Sequence, residues 1–341
     1  MTSDPATLDR YESLIEQALL AGRVQEAVEL YWHGLGAYRN LVWVLGENAR
    51  GLRILERFVP SLIERDLPGR VQGGLLTDLG LFAANLGDLP RARAAFSRAR
   101  QLAAAGGDHR NECVCTQNLA EFALQAGRFP EARDYSESAV SLATQANDDS
   151  EIAVSLAYRA TARFALGDLE RAAELEGKPL YGVCGIWQAW RRLLRGDRHG
   201  AICQTQANRE FAAAGGYEPD LCRSNALLAR LLLPDDPAQA ARHLQDARAF
   251  ANGSGVVELQ LRCFHAACEL HRHLGDYPQA IAEAGAGILL ADTCGFGWFS
   301  IDLRLAAGDA RSALQRSEHP DCQYAWGKAT ALRLIGAEPR P

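Results

Sequence analysis

Three stretches of the chain restate one pattern at a fixed interval. GDLPRARAAFSRA begins at Gly87, GRFPEARDYSESA at Gly127 and GDLERAAELE at Gly167, each 40 residues after the last. A recurring unit of this length marks a stacked-repeat architecture, in which each unit buries its apolar face against its neighbours. A helical hairpin accounts for every restated residue. The Gly closes one helix, because it takes the left-handed conformation without steric cost. The Asp that often follows, at Asp88, Asp168, Asp197, Asp276 and Asp309, accepts hydrogen bonds from the free N–H groups of the next helix. Pro90, Pro130 and Pro278 fall in that first turn, where a missing N–H costs nothing. The Ala five residues after the Gly lets the paired helices approach closely, and Phe96 and Ala99 follow at helical spacing.

The same turn recurs at Gly22, Gly196, Gly275 and Gly308, and without its Gly at Asp235, 40 residues before Gly275. Eight turns predict about eight hairpins in an all-α, right-handed superhelical solenoid. Residues 1–69 fit the pattern poorly and are expected to form divergent hairpins or a cap. Residues 70–176 carry the best-matched units. Residues 177–341 open with an irregular connection over 177–185, rich in Gly, then resume the repeats and end in a capping helix.

The hairpin residues resemble the tetratricopeptide repeat. Leu79-Gly80 is similar to its first-helix Leu-Gly step, and Gly87, Leu89, Ala92, Phe96 and Ala99 match its turn and second helix. Leu76, Ala83 and Ala104 depart from its tryptophan, tyrosine and proline positions. The 40-residue period resembles the long-period MalT-like arrays in sensor regions of STAND signal-transduction ATPases and of some peptide-sensing regulators. That resemblance implies a sensor or adaptor that reports a bound ligand to a partner.

Composition narrows the function further. The formal net charge is −6 with no run of basic residues, so the clustered positive surface that nucleic-acid binding needs is missing. The opening MTSDPATLDRYESLIEQ has no basic region followed by an apolar one, and the most apolar stretches are interrupted by charges. Neither a secretory signal nor a membrane span is expected. Nine cysteines without a C-x-x-C pair read as reduced, buried small hydrophobes in a cytoplasmic protein.

No phosphate loop, dinucleotide fingerprint or nucleophile elbow is present in the sequence, so a non-catalytic protein without cofactor is expected. CFHAACELHRH, from Cys263, places His265, Cys268 and His271 three residues apart. This spacing could in principle serve a metal, but Cys268 occupies the register of Gly80, and a core thiol beside surface histidines is the expected reading. No metal site is assigned.

Recognition is expected on the concave face of the first helices. By the family resemblance, its stripe lies about 13, 10, 6 and 3 residues before each turn, a spacing that keeps to one helical face. It selects Gln117 and Glu121 before Gly127, and Arg262, His265, Glu269 and Arg272 before Gly275. Trp190, with Trp187 adjacent, precedes Gly196; Trp298 and Asp302 precede Gly308; Tyr158 and Asn225 continue the line. Indoles and arginines dominate recognition hot spots. The expected ligand is a protein, a peptide or a small effector, and an anionic group would suit Arg262 with Arg272. The alternative is an assembly scaffold that uses terminal or convex surfaces.

Overall fold

The computed structural model describes residues 4–58, 67–172 and 180–336, and among these no strand occurs. The chain opens with α1 (Pro5–Leu20) and α2 (Val24–Glu29), which runs into a π-helical turn at Leu30–Gly34. A second π-helical turn, Arg39–Val44, precedes α3 (Asn48–Glu56). Paired helices follow: α4 (Gly69–Asn85) with α5 (Leu89–Ala105), and α6 (His109–Gln125) with α7 (Phe129–Gln145). Helix α8 (Asp149–Ala165) is followed by the four-residue α9 (Leu169–Ala172), and α10 (Gly182–Leu194) pairs with α11 (Arg198–Gly215). Helices α12 (Glu218–Leu232) and α13 (Pro237–Ser254) form the next hairpin, and α14 (Val257–His273) and α15 (Tyr277–Cys294) another. The array ends with α16 (Gly297–Ala307), α17 (Ala310–Ser317) and α18 (Ala325–Ile335).

Every one of the eight expected turns joins two consecutive helices. Asp88, Asp197, Asp276 and Asp309 each accept a hydrogen bond from the backbone N–H three residues on, and Asp236 does the same in the turn that lacks Gly. The alanines that follow the turns, among them Ala92, Ala132, Ala201 and Ala280, are buried between paired helices. The Leu-Gly step has a steric cause. A Cβ on Gly80 would lie 2.5 Å from the Phe96 ring, so only Gly lets α4 seat on that side chain. The expected irregular segment is shorter than the sequence suggests. Residues 177–179 lie outside the described residues, and residues 182–185 already form the first turn of α10.

The array bends until its two halves touch. Asn48 Nδ2 donates to the Ser254 carbonyl at 3.0 Å, and the Trp43 and Tyr217 rings meet edge to face with centroids 5.4 Å apart. Further along, Gly87 lies against Cys294 and Val257, and Gly167 against Ala325. Between them, a Cβ on Gly127 would sit 3.0 Å from the Trp298 backbone N. These contacts form a seam of interhelical turns. The concave face expected from the sequence is therefore narrowed to a lumen between the two halves of the array.

Candidate functional site

Two adjoining hollows occupy the lumen. The larger, about 310 Å³, is walled by Tyr38, Trp43, Leu81, Asn118, Glu121 and Arg223, with others. The smaller, about 40 Å³, is walled by Trp187, Trp190, Arg230, Arg262, Trp298 and Asp302, with others. Gln125 and Glu258 line both, so they mark the passage between the two.

Aromatic rings close the narrow end. Trp298 from α16 meets Trp190 at 4.9 Å and Trp187 at 6.5 Å between centroids, and Trp187 packs edge-on against Tyr158 at 5.2 Å. Phe129 and Tyr324 complete the cluster around Trp298. The three indoles are buried, at 3%, 7% and 6% exposure for Trp187, Trp190 and Trp298. They plug one end of the lumen instead of lining an open surface.

Ion pairs hold the polar walls. Arg223 is bound by Asp220 at 2.7 Å and Glu258 at 3.0 Å. Burial works against its charge, but the neighbouring Glu258 and Asp220 carboxylates outweigh that and hold the guanidinium well above its ordinary range. Arg230 makes a two-pronged contact with Glu269, Nε at 2.8 Å and Nη2 at 2.9 Å. His265 Nε2 lies 3.2 Å from Oε1, the oxygen that Arg230 Nη2 also holds. Burial raises the Glu269 carboxyl, and the charges of Arg230 and His265 more than reverse it, leaving the group well below the usual carboxylate range.

The expected concave residues divide. Glu121, Trp187, Trp190, Arg262, His265, Trp298 and Asp302 do meet at the two hollows, with Tyr158 donating to Glu121 Oε2 at 2.8 Å and Glu269 behind Arg230. Gln117 does not. It turns toward α8, where its Nε2 donates to Ser155 Oγ at 2.9 Å and to Glu151, and Asn118 faces the lumen in its place. Asn225 also faces elsewhere, its Oδ1 engaged by Arg209 and His243. Arg272 is exposed and donates to the Ala306 carbonyl. Arg262 pairs with Glu258 and lies over the Phe299 ring. The two-arginine anion cradle expected from the sequence therefore does not form.

Arg223, Arg230, Glu258 and Asn118 line the lumen without having been selected. The seven-residue step from Arg223 to Arg230, two helical turns on one face, was the available signal. Cys268 is buried against Ala280 and Ala284, while His271 lies 3.7 Å from Asp276. His265 is buried rather than at the surface. Cys203 departs from the expected burial of the cysteines and is exposed. Among the described residues no His, Cys, Asp and Glu side chains gather as a metal-binding group, and no helix is long and apolar enough to cross a membrane.

The tetratricopeptide repeat family matches residues 73–145 and again 112–178. No curated protein matches the sequence. Among solved structures, a Rap protein complexed with competence and sporulation factor aligns at 12% identity and TM-score 0.42, covering 97% of this chain and 96% of that one. The TPR domain of P58(IPK) aligns at 14% identity and TM-score 0.23, covering 98% and 99%. Residues 73–178 of this chain are thus similar to tetratricopeptide repeats, within a solenoid of helical hairpins.

Proposed function

We propose that this chain is a non-catalytic recognition module that captures a peptide, or an extended segment of a partner protein, within its lumen. Tetratricopeptide repeats generally mediate protein–protein interaction, and residues 73–178 are similar to them. The observation that carries the reading is Asn118. Its side chain faces the 310 Å³ hollow and makes no hydrogen bond among the described residues, while Gln125 stands at the passage beyond it. An unengaged carboxamide offers an NH2 donor group and a carbonyl acceptor, which together match the C=O and N–H of a peptide unit. A hollow of this size lies at the lower end of the range for ligand pockets.

A sensor follows from the same geometry. A ligand that touches α6, α12 and α14 together bridges the two halves of the array, so its binding would bias the seam between closed and open states. Such a change is what an attached or associated signalling partner could read, as would a sensor region of the STAND type or an adaptor.

The test is panning of a random-peptide library against the wild-type chain and against Leu81→Trp, which fills the larger hollow. Enrichment by the wild type and its loss in the variant, with an unchanged melting temperature, is the expected result. Equal enrichment by both proteins would place the recognition surface outside the lumen.

One observation favours the scaffold reading as the second choice. The outer face of α15 presents Tyr277, Ile281 and Leu289 at 61%, 64% and 70% exposure, on an exposed stripe with Ala282, Gly285 and Ala286 that meets its first charge at Asp292. Apolar convex surface of this kind suits a partner protein. Ile281→Lys would abolish assembly under that reading and leave lumen binding untouched.

A further inference from the structure

The charges around the lumen do not cancel, and the surplus is acidic. Arg223 is engaged by Asp220 and Glu258, Arg262 by Glu258, and Arg230 by Glu269. Every guanidinium of the walls is thereby neutralised. Glu121 and Asp302 are the carboxylates left over. Glu121 accepts only neutral hydrogen bonds, from Tyr158 Oη at 2.8 Å and Gln125 Nε2 at 3.2 Å. Asp302 makes no ion pair among the described residues, although His265, Arg230, Glu269 and Tyr324 all face it from α14, α12 and the segment before α18. Burial raises both carboxyls above their ordinary values.

A second set of groups at the same place is also unfinished. The Trp298 indole N–H and the Tyr324 hydroxyl are buried and reach no hydrogen bond of normal geometry. They lie beside Asp302, with Tyr324 in loose hydrogen-bonding reach of both the Asp302 carboxylate and the Trp298 side chain, and burial and then the Asp302 charge push the Tyr324 phenol far up. A buried donor without a well-formed hydrogen bond and a carboxylate without a direct ion pair each carry a desolvation cost that a complementary group would relieve. The indole walls add a further preference, since a cation over an aromatic face is attracted by the ring quadrupole.

Size selects among cations. The space at the indole end is about 40 Å³, room for only a few water-sized positions. A primary ammonium on a methylene stem fits such a space, whereas the wide planar fork of a guanidinium does not. Building on the lumen reading above, we propose that the ligand carries a primary ammonium group that seats against Asp302 between the tryptophans. The body of the ligand lies in the larger hollow beside Glu121. The preference is thus opposite to the anionic one suggested by Arg262 and Arg272 in the sequence.

Three pentapeptide sublibraries, acetylated and amidated at their ends, test this. One fixed position holds lysine, norleucine or glutamate, and the others are random. The wild-type chain is expected to retain the lysine set about tenfold over the norleucine set, as a charge-assisted hydrogen bond allows. Asp302→Asn should reduce that ratio to about one while its norleucine retention and melting temperature hold. Retention of the glutamate set over norleucine, or a lysine preference that survives Asp302→Asn, overturns the ammonium assignment and leaves the lumen reading standing. Retention of no set, or retention unaffected by Leu81→Trp, overturns both.

Discussion

Trp298 packs edge-on against Trp190 with ring centroids 4.9 Å apart and planes at 73°. One ring comes from α16 and the other from α10, so the contact spans the lumen and ties distant hairpins together. A solenoid held only by neighbouring repeats would lack such a tie.

Removing that tie should cost both stability and shape. Trp298→Ala deletes a buried indole, for which about 3–5 kcal/mol is typical, and it removes the ring contacts with Trp190 and with Phe129, the residue two after Gly127 at the start of α7. Chemical denaturation should show a loss of that order, and small-angle scattering should show a larger radius of gyration. A loss below about 1 kcal/mol with unchanged scattering would mean that the seam does not hold the array closed.

Asp78 should make stability fall as pH rises. It accepts from Tyr31 Oη at 2.9 Å, and burial pushes its carboxyl from 3.8 up to about 6. Between those values the folded state binds more protons than the unfolded one, so this group's contribution declines from about pH 4 through pH 6. Asp78→Asn should remove that decline, worth about 3 kcal/mol. The check is the difference in unfolding free energy between wild type and variant from pH 4 to 8. A flat difference would show that Asp78 titrates normally.

Glu269 should behave in the opposite sense. Burial opposes its charge, yet Arg230 and then His265 hold it ionised, so its folded value lies below the unfolded one. Its contribution is present above the unfolded carboxylate range and is lost as pH falls through the folded value. The side chain keeps 30% exposure, so solvent moderates the effect. Glu269→Gln should cost about 1–3 kcal/mol at pH 7, because Arg230 is left in the wall without its partner. Urea titration measures this, and an unchanged midpoint would contradict the pairing.

Thiol chemistry offers a quick check of the packing. Cys203 is exposed on α11, Cys294 is half-buried, and the other seven cysteines are buried. Ellman's reagent should therefore find one fast-reacting thiol in the native chain, lost in Cys203→Ser, with the buried ones appearing only on unfolding. Several fast thiols would indicate looser hairpins.

The turns were readable because their chemistry is local. Gly22, Gly87, Gly127 and Gly308, the Asp caps and the buried alanines each report a conformation that a few neighbouring residues dictate. The lumen was only half readable. Gln117 and Asn118 are one step apart, and which of them faces inward depends on how α6 rotates against α8. Arg262 and Arg272 have the spacing of an anion site, but Glu258 and the Ala306 carbonyl take them first. Closure was not readable at all. It rests on contacts such as Asn48 with Ser254 and Gly127 with Trp298, which depend on the bend summed over every hairpin between them.

Hydrogen exchange of the chain with and without a library-selected peptide addresses the lumen most directly. Binding inside it should slow exchange in α6, α10, α14 and α16 together, along with the seam segments around Gly127 and Gly297, and should leave the outer helix α15 unchanged. Protection confined to α15, or no slowing in α10 and α16 at saturating peptide, would show that recognition happens elsewhere on the molecule.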